Sequence, residues 1–355
     1  MNNRVLAINP GSTSTKFAIY DDGKVLFEKT LRHSSEEIER FESIADQRDW
    51  RMGLILEGLA ESDIDIQTLD AVVGRGGLVK PIEGGIYIVN EALERDTRNS
   101  PFEHACNLGA PLAHAIADKA GVNAYIADPV VVDEMTDLAK VSGHPMFNRA
   151  SAFHALNSRA IGKHYAKDIE AKYADLNLIV VHMGGGVSVS VHQHGRIVDT
   201  TNALSGNGCF SPERVGRVQP MALVDACYSG KYSKREMSQI LIGHGGLVAH
   251  LGHNSMYDAV VAAQGGDEKA KLVVDAFVYN VSKDVGAMST VLSGEIDAIL
   301  ITGGIAYNDL LTCEITKRVG WMGKVVIYPG EDELGALVGS TMEVLRGETT
   351  PKIYE

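Results

Sequence analysis

Asn9-Pro10-Gly11-Ser12-Thr13-Ser14-Thr15-Lys16 stands between two apolar runs, Val5 to Ile8 and Phe17 to Tyr20, and reads as strand, hydroxyl-rich turn, strand. A second stretch, His182-Met183-Gly184-Gly185-Gly186-Val187-Ser188, sits in the same way between Leu178 to Val181 and Val189 to His192. Each leaving strand meets a Gly-plus-basic turn, Gly23-Lys24 in one copy and Gly195-Arg196 in the other, an offset of 172 residues in a chain of 355. A repeat at nearly half the length predicts a duplicated domain with a central cleft. Two later stretches also correspond: Ala71-Val72-Val73-Gly74-Arg75-Gly76-Gly77 and Ala298-Ile299-Leu300-Ile301-Thr302-Gly303-Gly304 are apolar strands running into paired glycines, the form expected where a backbone approaches a ligand. Their offset of 227 implies about 55 residues inserted in the second copy.

Around these motifs the pattern predicts helices over Ser35 to Leu59, His104 to Ala120, Phe153 to Ala174 and Lys269 to Leu292, so strands and helices alternate and the class is α/β. The domains are expected at 1–135, completed by a C-terminal helix at about 336–355, and at 136–335. The stripe Leu272, Ala276, Tyr279, Lys283 reads as core and rim.

A net charge of −13 argues against nucleic-acid binding, which needs a basic field to displace phosphate counterions. Cys106, Cys209, Cys227 and Cys313 are scattered without a C-x-x-C pair and read as buried filler in a reducing compartment. No apolar stretch of about 18 residues occurs, so no membrane span is expected and the location is read as cytoplasmic.

Both turns suit phosphate. In the first, Gly11 permits a tight turn, hydroxyls follow it, and Lys16 adds a point charge; a polar hairpin is the bland alternative. In the second, Gly184, Gly185 and Gly186 expose backbone N–H groups, unless the loop is merely flexible. Neither is a P-loop or a dinucleotide fingerprint, because the glycines turn into strands rather than helices. Arg214 offers a fork of donors for a phosphoryl group, or else pairs with Glu213. His154 and His182 flank the glycine motifs, whereas His192 and His194 read as solvated residues beside a hairpin turn.

Seven motifs in order carry a resemblance: N-P-G-S-T-S-T-K at 9–16, V-V-G-R-G-G at 72–77, D-P-V-V-V-D-E-M at 128–135, F-H-A-L-N at 153–157, H-M-G-G-G at 182–186, P-E-R-V-G at 212–216 and I-T-G-G-I at 301–305. The chain resembles the acetate kinase and butyrate kinase family, and its departures from the acetate kinases are those of the butyrate kinases. The resemblance implies duplicated ribonuclease H-like, actin-like ATPase domains and reversible phosphoryl transfer between ATP and a short-chain carboxylate, butyrate or isobutyrate, giving acyl phosphate and ADP. It further implies Mg²⁺ and a homodimer or larger assembly. By it Asn9, Ser12, Ser14, Lys16 and the three glycines at 184–186 bind phosphate, and Arg214, His154, His182 and Asp128 are catalytic. Asp128 and Glu333 serve the metal, and Gly303, Gly304 and Asn308 flank the adenosine. Gly185 stands where acetate kinases carry Asn. Val72 stands where they carry their substrate arginine, which leaves Arg75 to take the carboxylate.

Chemistry bears on Asp128 separately. A carboxylate acceptor is already ionised near neutral pH and needs no base, so Asp128 is assigned to the metal, with an N-cap before Pro129 as its structural alternative. Two other functions stay open from sequence: a sugar or other hydroxyl kinase using Asp128 as base, and a nucleotide-regulated binding module. Arg75 and Arg214 suit an anion better than a polyol.

Overall fold

The computed structural model describes residues 3–100, 103–204 and 206–355. It divides into two compact units, one running to Val132 and resumed by Asp332–Glu355, the other Asp133–Glu331. These bounds differ by a few residues from the expected ones, and they carry Glu333 into the first unit.

The first unit opens with β1 (Arg4–Pro10), β2 (Ser14–Asp21), β3 (Lys24–Arg32), β4 (Ala71–Arg75), β5 (Ile86–Ile88) and β6 (Asn123–Ala127). The second holds β7 (Asn177–Met183), β8 (Val187–Gln193), β9 (Arg196–Thr200), β10 (Ala298–Gly303) and β11 (Val325–Pro329), and β12 (Lys352–Ile353) returns to the first. The sheet orders are β12-β5-β6-β4-β1-β2-β3 and β11-β10-β7-β8-β9. From β6 to β3 and from β11 to β9 the two sheets match. The hairpin strands are antiparallel, and the next two strands add parallel. Each is the ribonuclease H-like arrangement.

The repeat extends to details of the backbone. Both hairpins turn through two left-handed residues, Asp22 and Gly23 at φ 47° and 81°, His194 and Gly195 at 49° and 82°, the geometry that matches the twist of the flanking strands. Both second strands shift register at the matching place, Ile19/Tyr20 and Val191/His192. The extra residues of the second copy lie between β9 and β10, where helices Pro220–Tyr228, Lys234–Leu241, Gly246–Leu251 and Met256–Gln264 precede the long helix Glu268–Ser289.

Central strand β7 is apolar from Leu178 to Val181 because both of its faces are covered. Ile179 and Val181 join Phe277, Val281 and Val285 of the long helix in one cluster. Leu178 and Val180 join Tyr165 and Leu300 in another, under helix Ala155–Asp168. In the first unit Leu6, Ile8 and Val72 pack on Leu112 and Ile116 of helix Gly109–Ala120. That helix comes close because a Cβ on Gly74 would lie 2.1 Å from Gly109 O, and one on Gly109 would lie 1.9 Å from Arg75 O. The glycine of β4 therefore serves helix packing.

Other expectations are corrected. The helix over Ser35 to Leu59 breaks into Ser35–Ile38 and Arg48–Ala60. Between them Ser43 and Asp46 exchange side-chain to backbone bonds that compete with the helical ladder. The stripe through Leu272 and Tyr279 faces outward, since Val273, Val274, Phe277 and Val278 occupy the core side. Cys106 and Cys209 are buried, but Cys227 and Cys313 are exposed. His192 is not solvated: it is 0% exposed and bonded to Tyr173 Oη at 2.8 Å and Ser190 Oγ at 2.9 Å. Strand pairing explains this, because His192 lies within β8 and only His194 reaches the turn. No described helix is long and apolar enough to cross a membrane.

Candidate active site

The first clasp joins β1 to β2. Gly11 N–H donates to Ser14 O at 2.8 Å and His33 N–H to Thr13 O at 2.9 Å, closing the turn, while Ser12 and Thr13 lie exposed at its tip and Ser14 is half-buried. Beneath it lies a residue that no motif indicated. Arg51, on helix Arg48–Ala60 and 1% exposed, donates from Nη1 to Gly11 O at 2.8 Å, Ser14 O at 3.1 Å and Thr15 Oγ1 at 3.0 Å, and from Nη2 to Ser12 O at 3.2 Å. Gln47 Oε1 accepts from the other edge of the guanidinium. Burial pulls Arg51 down to about 10, still well above neutrality. Thr15 Oγ1 meets His33 Nε2 at 2.9 Å, and burial together with Arg51 lowers His33 to about 4.

Asn9, at the end of β1, donates from Nδ2 to Glu333 Oε2. Glu333 also receives Arg75 Nη1 at 2.8 Å and 3.0 Å, so the arginine expected to bind substrate is partnered by the carboxylate expected to serve the metal. Lys16 lies on β2 and pairs with Glu28 Oε1 of β3 at 3.0 Å. Asp128 sits in the left-handed region at φ 37°. Its N–H donates to Gly85 O at 3.0 Å and its Oδ1 accepts from Gly85 N at 2.8 Å. That exchange and its burial mark Asp128 as a fastener between two loops; no helix follows Pro129 for it to cap.

In the second unit, His154 and His182 come together. Their rings stack at 3.7 Å with an interplanar angle of 12°. His154 Nδ1 meets Ser188 Oγ at 2.9 Å, His182 Nδ1 meets Asn157 Oδ1 at 2.8 Å, and His182 Nε2 faces Glu331 Oε2 at 3.5 Å. The glycine turn between β7 and β8 is closed by Gly184 N–H donating to Gly186 O at 2.9 Å, and Ser211 Oγ donates to Gly185 O at 2.7 Å. Arg214 lies against this turn, donating from Nη1 to Ala203 O at 2.7 Å, rather than pairing with Glu213. A Cβ on Gly186 would fall 2.1 Å from Arg214 Nη1 and 3.2 Å from His154 Cε1, so the glycine makes room for both. Burial draws Arg214 below its usual range and Glu213 opposes that shift.

The loop carrying Arg214 is tied to the long helix by Asp284, whose Oδ2 accepts from Cys209 N at 2.7 Å and whose Oδ1 pairs with Arg217. Desolvation raises the Asp284 carboxyl, against the pull of Arg217. At the end of β10, Gly303 is left-handed at φ 91°, and a Cβ there would strike Met183 O at 2.3 Å, so the position needs a glycine. Gly304 faces open space. Asn308 caps helix Asp309–Val319 by accepting from Leu311 N at 3.2 Å. Among the described residues, no three His, Cys, Asp or Glu side chains are grouped to hold a metal by themselves.

The arrangement agrees with what the chain is similar to. An acetate kinase from Porphyromonas gingivalis superposes with a TM-score of 0.81 at 18% identity, over 97% of this chain and 100% of that one. A propionate kinase from Francisella tularensis does so at 0.73 and 17%, over 95% and 98%. These fix the fold as the duplicated actin-like kinase fold. Residues 144–325 match the acetokinase family. The chain is 50% identical, over the whole length of both, to Butyrate kinase 2 of Clostridium acetobutylicum, and 47% identical, again over both whole lengths, to a probable butyrate kinase of Listeria innocua. The chain belongs to the acetokinase family.

Proposed function

We propose that this protein is a butyrate kinase, transferring a phosphoryl group reversibly between ATP and butyrate, or a branched acid such as isobutyrate, to give acyl phosphate and ADP. The observation that carries the reading is the 50% identity to a butyrate kinase over the whole length of both chains. The hydroxyl-kinase alternative is not favoured: a base must be free to take a proton, and Asp128 is buried and bonded to Gly85.

Phosphoryl transfer is chiefly positioning and charge stabilisation. In the second unit, Arg214 and the N–H groups of the glycine turn supply fixed donors for the phosphoryl oxygens. The paired imidazoles are each held at Nδ1 by a neighbouring oxygen, and His182 Nε2 faces Glu331. In the first unit we assign phosphate to Ser12, Ser14 and the loop amides, and the carboxylate substrate to Arg75, which would exchange part of its bonding to Glu333 for the ligand. Mg²⁺, which neutralises phosphate charge when bound, is held in such sites by one or two carboxylates, water and the phosphates themselves. Glu333, partly exposed, fits that role better than Asp128. Gly303, Gly304 and Asn308 are assigned to the adenosine side, and a homodimer or larger assembly in the cytoplasm is the expected form.

The test is acyl phosphate formation, trapped as the hydroxamate, with ATP and Mg²⁺ against acetate, propionate, butyrate and isobutyrate. Product from the four-carbon acids with little from acetate is expected. Sugar-dependent ADP release without acyl phosphate would overturn the reading.

A further inference from the structure

We infer that Arg51 is a positioning residue for phosphoryl transfer, holding the first clasp in the conformation that presents its amides to phosphate. The inference rests on the proposed kinase activity and adds a residue outside every motif that pointed to it.

Three successive features of the geometry lead there. Arg51 is fully buried, and its guanidinium reaches the carbonyl oxygens of Gly11, Ser12 and Ser14 and the hydroxyl of Thr15. In a trans peptide the C=O of one residue and the N–H of the next point in opposite directions. Drawing the Gly11 and Ser12 carbonyls inward therefore turns the N–H groups of Ser12 and Thr13 outward, on a tip whose two side chains are exposed. Successive outward amides make an anion-binding concavity, and the buried cation beneath adds a positive field of the sign a phosphate needs.

Arg51 does not touch solvent, so it acts through the loop and not on the substrate. Only a planar fork can span these acceptors. A lysine ammonium at the same place is a point donor and cannot hold the Gly11 and Ser12 carbonyls apart at their present spacing. Gln47 fixes the far edge of the fork, and Thr15 links it to His33, so the guanidinium has one orientation open to it.

The experiment compares wild type with Arg51→Lys and with Gln47→Leu, which leaves the guanidinium in place but frees one edge. Three readouts are taken: melting temperature, kcat and KM per folded enzyme in the hydroxamate assay, and amide exchange of a peptide covering the clasp. Arg51→Lys is expected to remain folded, lose roughly 10- to 100-fold in kcat with KM for ATP changed only a few-fold, and exchange faster at residues 11–15. Gln47→Leu is expected to move all three in the same direction by less. A variant that melts lower yet keeps kcat would reduce Arg51 to a stability residue, and one that loses kcat with unchanged exchange in the clasp would show that Arg51 does not act by ordering the loop. Exchange needs no turnover. If wild type phosphorylates no carboxylate, the kinase reading falls, and exchange in the clasp still decides whether Arg51 orders it.

Discussion

The two clasps occupy the same place in two copies of one sheet, yet they are held by opposite means. The first is a hydroxyl-rich turn fastened from below by a buried cation, Arg51, which grips its backbone oxygens. The second is a glycine turn, and its cation, Arg214, lies against the backbone in the space a side chain would fill. Beneath the loop of Arg214 the buried charge is an acid, Asp284, tied to Cys209 N and Arg217. Duplication preserved the strand order, the hairpins and even the register shifts, while the charges beneath the clasps diverged. The scaffold is thus common, and the difference in chemistry rests on a few side chains reaching the turns from helices and long loops.

If the second clasp works by the close approach of Arg214, the largest effect should come from filling its gap. Gly186→Ala places a methyl where Arg214 Nη1 now lies, and the arginine can move aside at little cost to stability because the clash is with the end of a side chain. We expect kcat to fall by roughly 10²-fold or more, close to the loss in Arg214→Ala, with the melting temperature nearly unchanged. At Gly185 an added Cβ meets nothing within 4 Å, and Gly185→Ala should cost less than about tenfold. Equal losses at the two glycines would mean that the turn needs flexibility rather than room for Arg214. A changed KM with normal kcat in Arg214→Ala would remove the arginine from the transition state.

How much of this was legible in the sequence differs between the copies for the same reason. Strand, turn and strand repeat within a few residues, so both clasps, the insertion and the α/β class could be read directly. Asn157 and Ser188, which hold the two imidazoles, lie within or beside the quoted motifs and were within reach of the same reading. Arg51, Asp284 and Glu331 contact their partners across long sequence distances, and no local pattern announces them. One signal was present: Arg51 shares the i, i+4, i+8 stripe of Ile55 and Leu59, an arginine on the buried face of its helix. Asp128 and Arg75 were found by motif, but motif spacing does not show that a carboxylate is already bonded to Gly85 or that an arginine is already paired with Glu333.

Each copy also buries a histidine whose charged form desolvation disfavours, His33 near the first clasp and His192 in β8, and acid should act on both. Desolvation chiefly lowers His192 to about 3 and His33 to about 4, from 6.5. Between those values and about 6.5 the unfolded chain binds protons that the native chain refuses. Stability is therefore complete above about pH 6.5 and is lost as the pH falls. Each group can contribute a slope of up to about 1.4 kcal/mol per pH unit in that window. Urea midpoints between pH 7 and pH 4.5 should fall steeply in wild type. His192→Asn, which keeps a polar side chain near Tyr173 and Ser190, should flatten the slope by about one proton's worth. An unchanged slope in that variant would show that His192 is protonated in the native state.

The smallest expected effect tests the most conspicuous residue of the first clasp. Lys16 and Glu28 are both over 40% exposed, and such a pair contributes only about 0–1 kcal/mol. Glu28→Gln removes the acid without touching the lysine or the turn. If the pair is only a surface contact between β2 and β3, kcat and stability should both stay near wild type, and added salt should shift the two proteins alike. If Glu28 holds Lys16 away from the phosphoryl group until a nucleotide competes for it, KM for ATP should fall about two- to threefold in Glu28→Gln at low ionic strength, and the difference should vanish in high salt. The second outcome would place a mobile cation on the first clasp beside the fixed one under it. The two clasps would then resemble each other after all, each with a charge above its turn and a charge below.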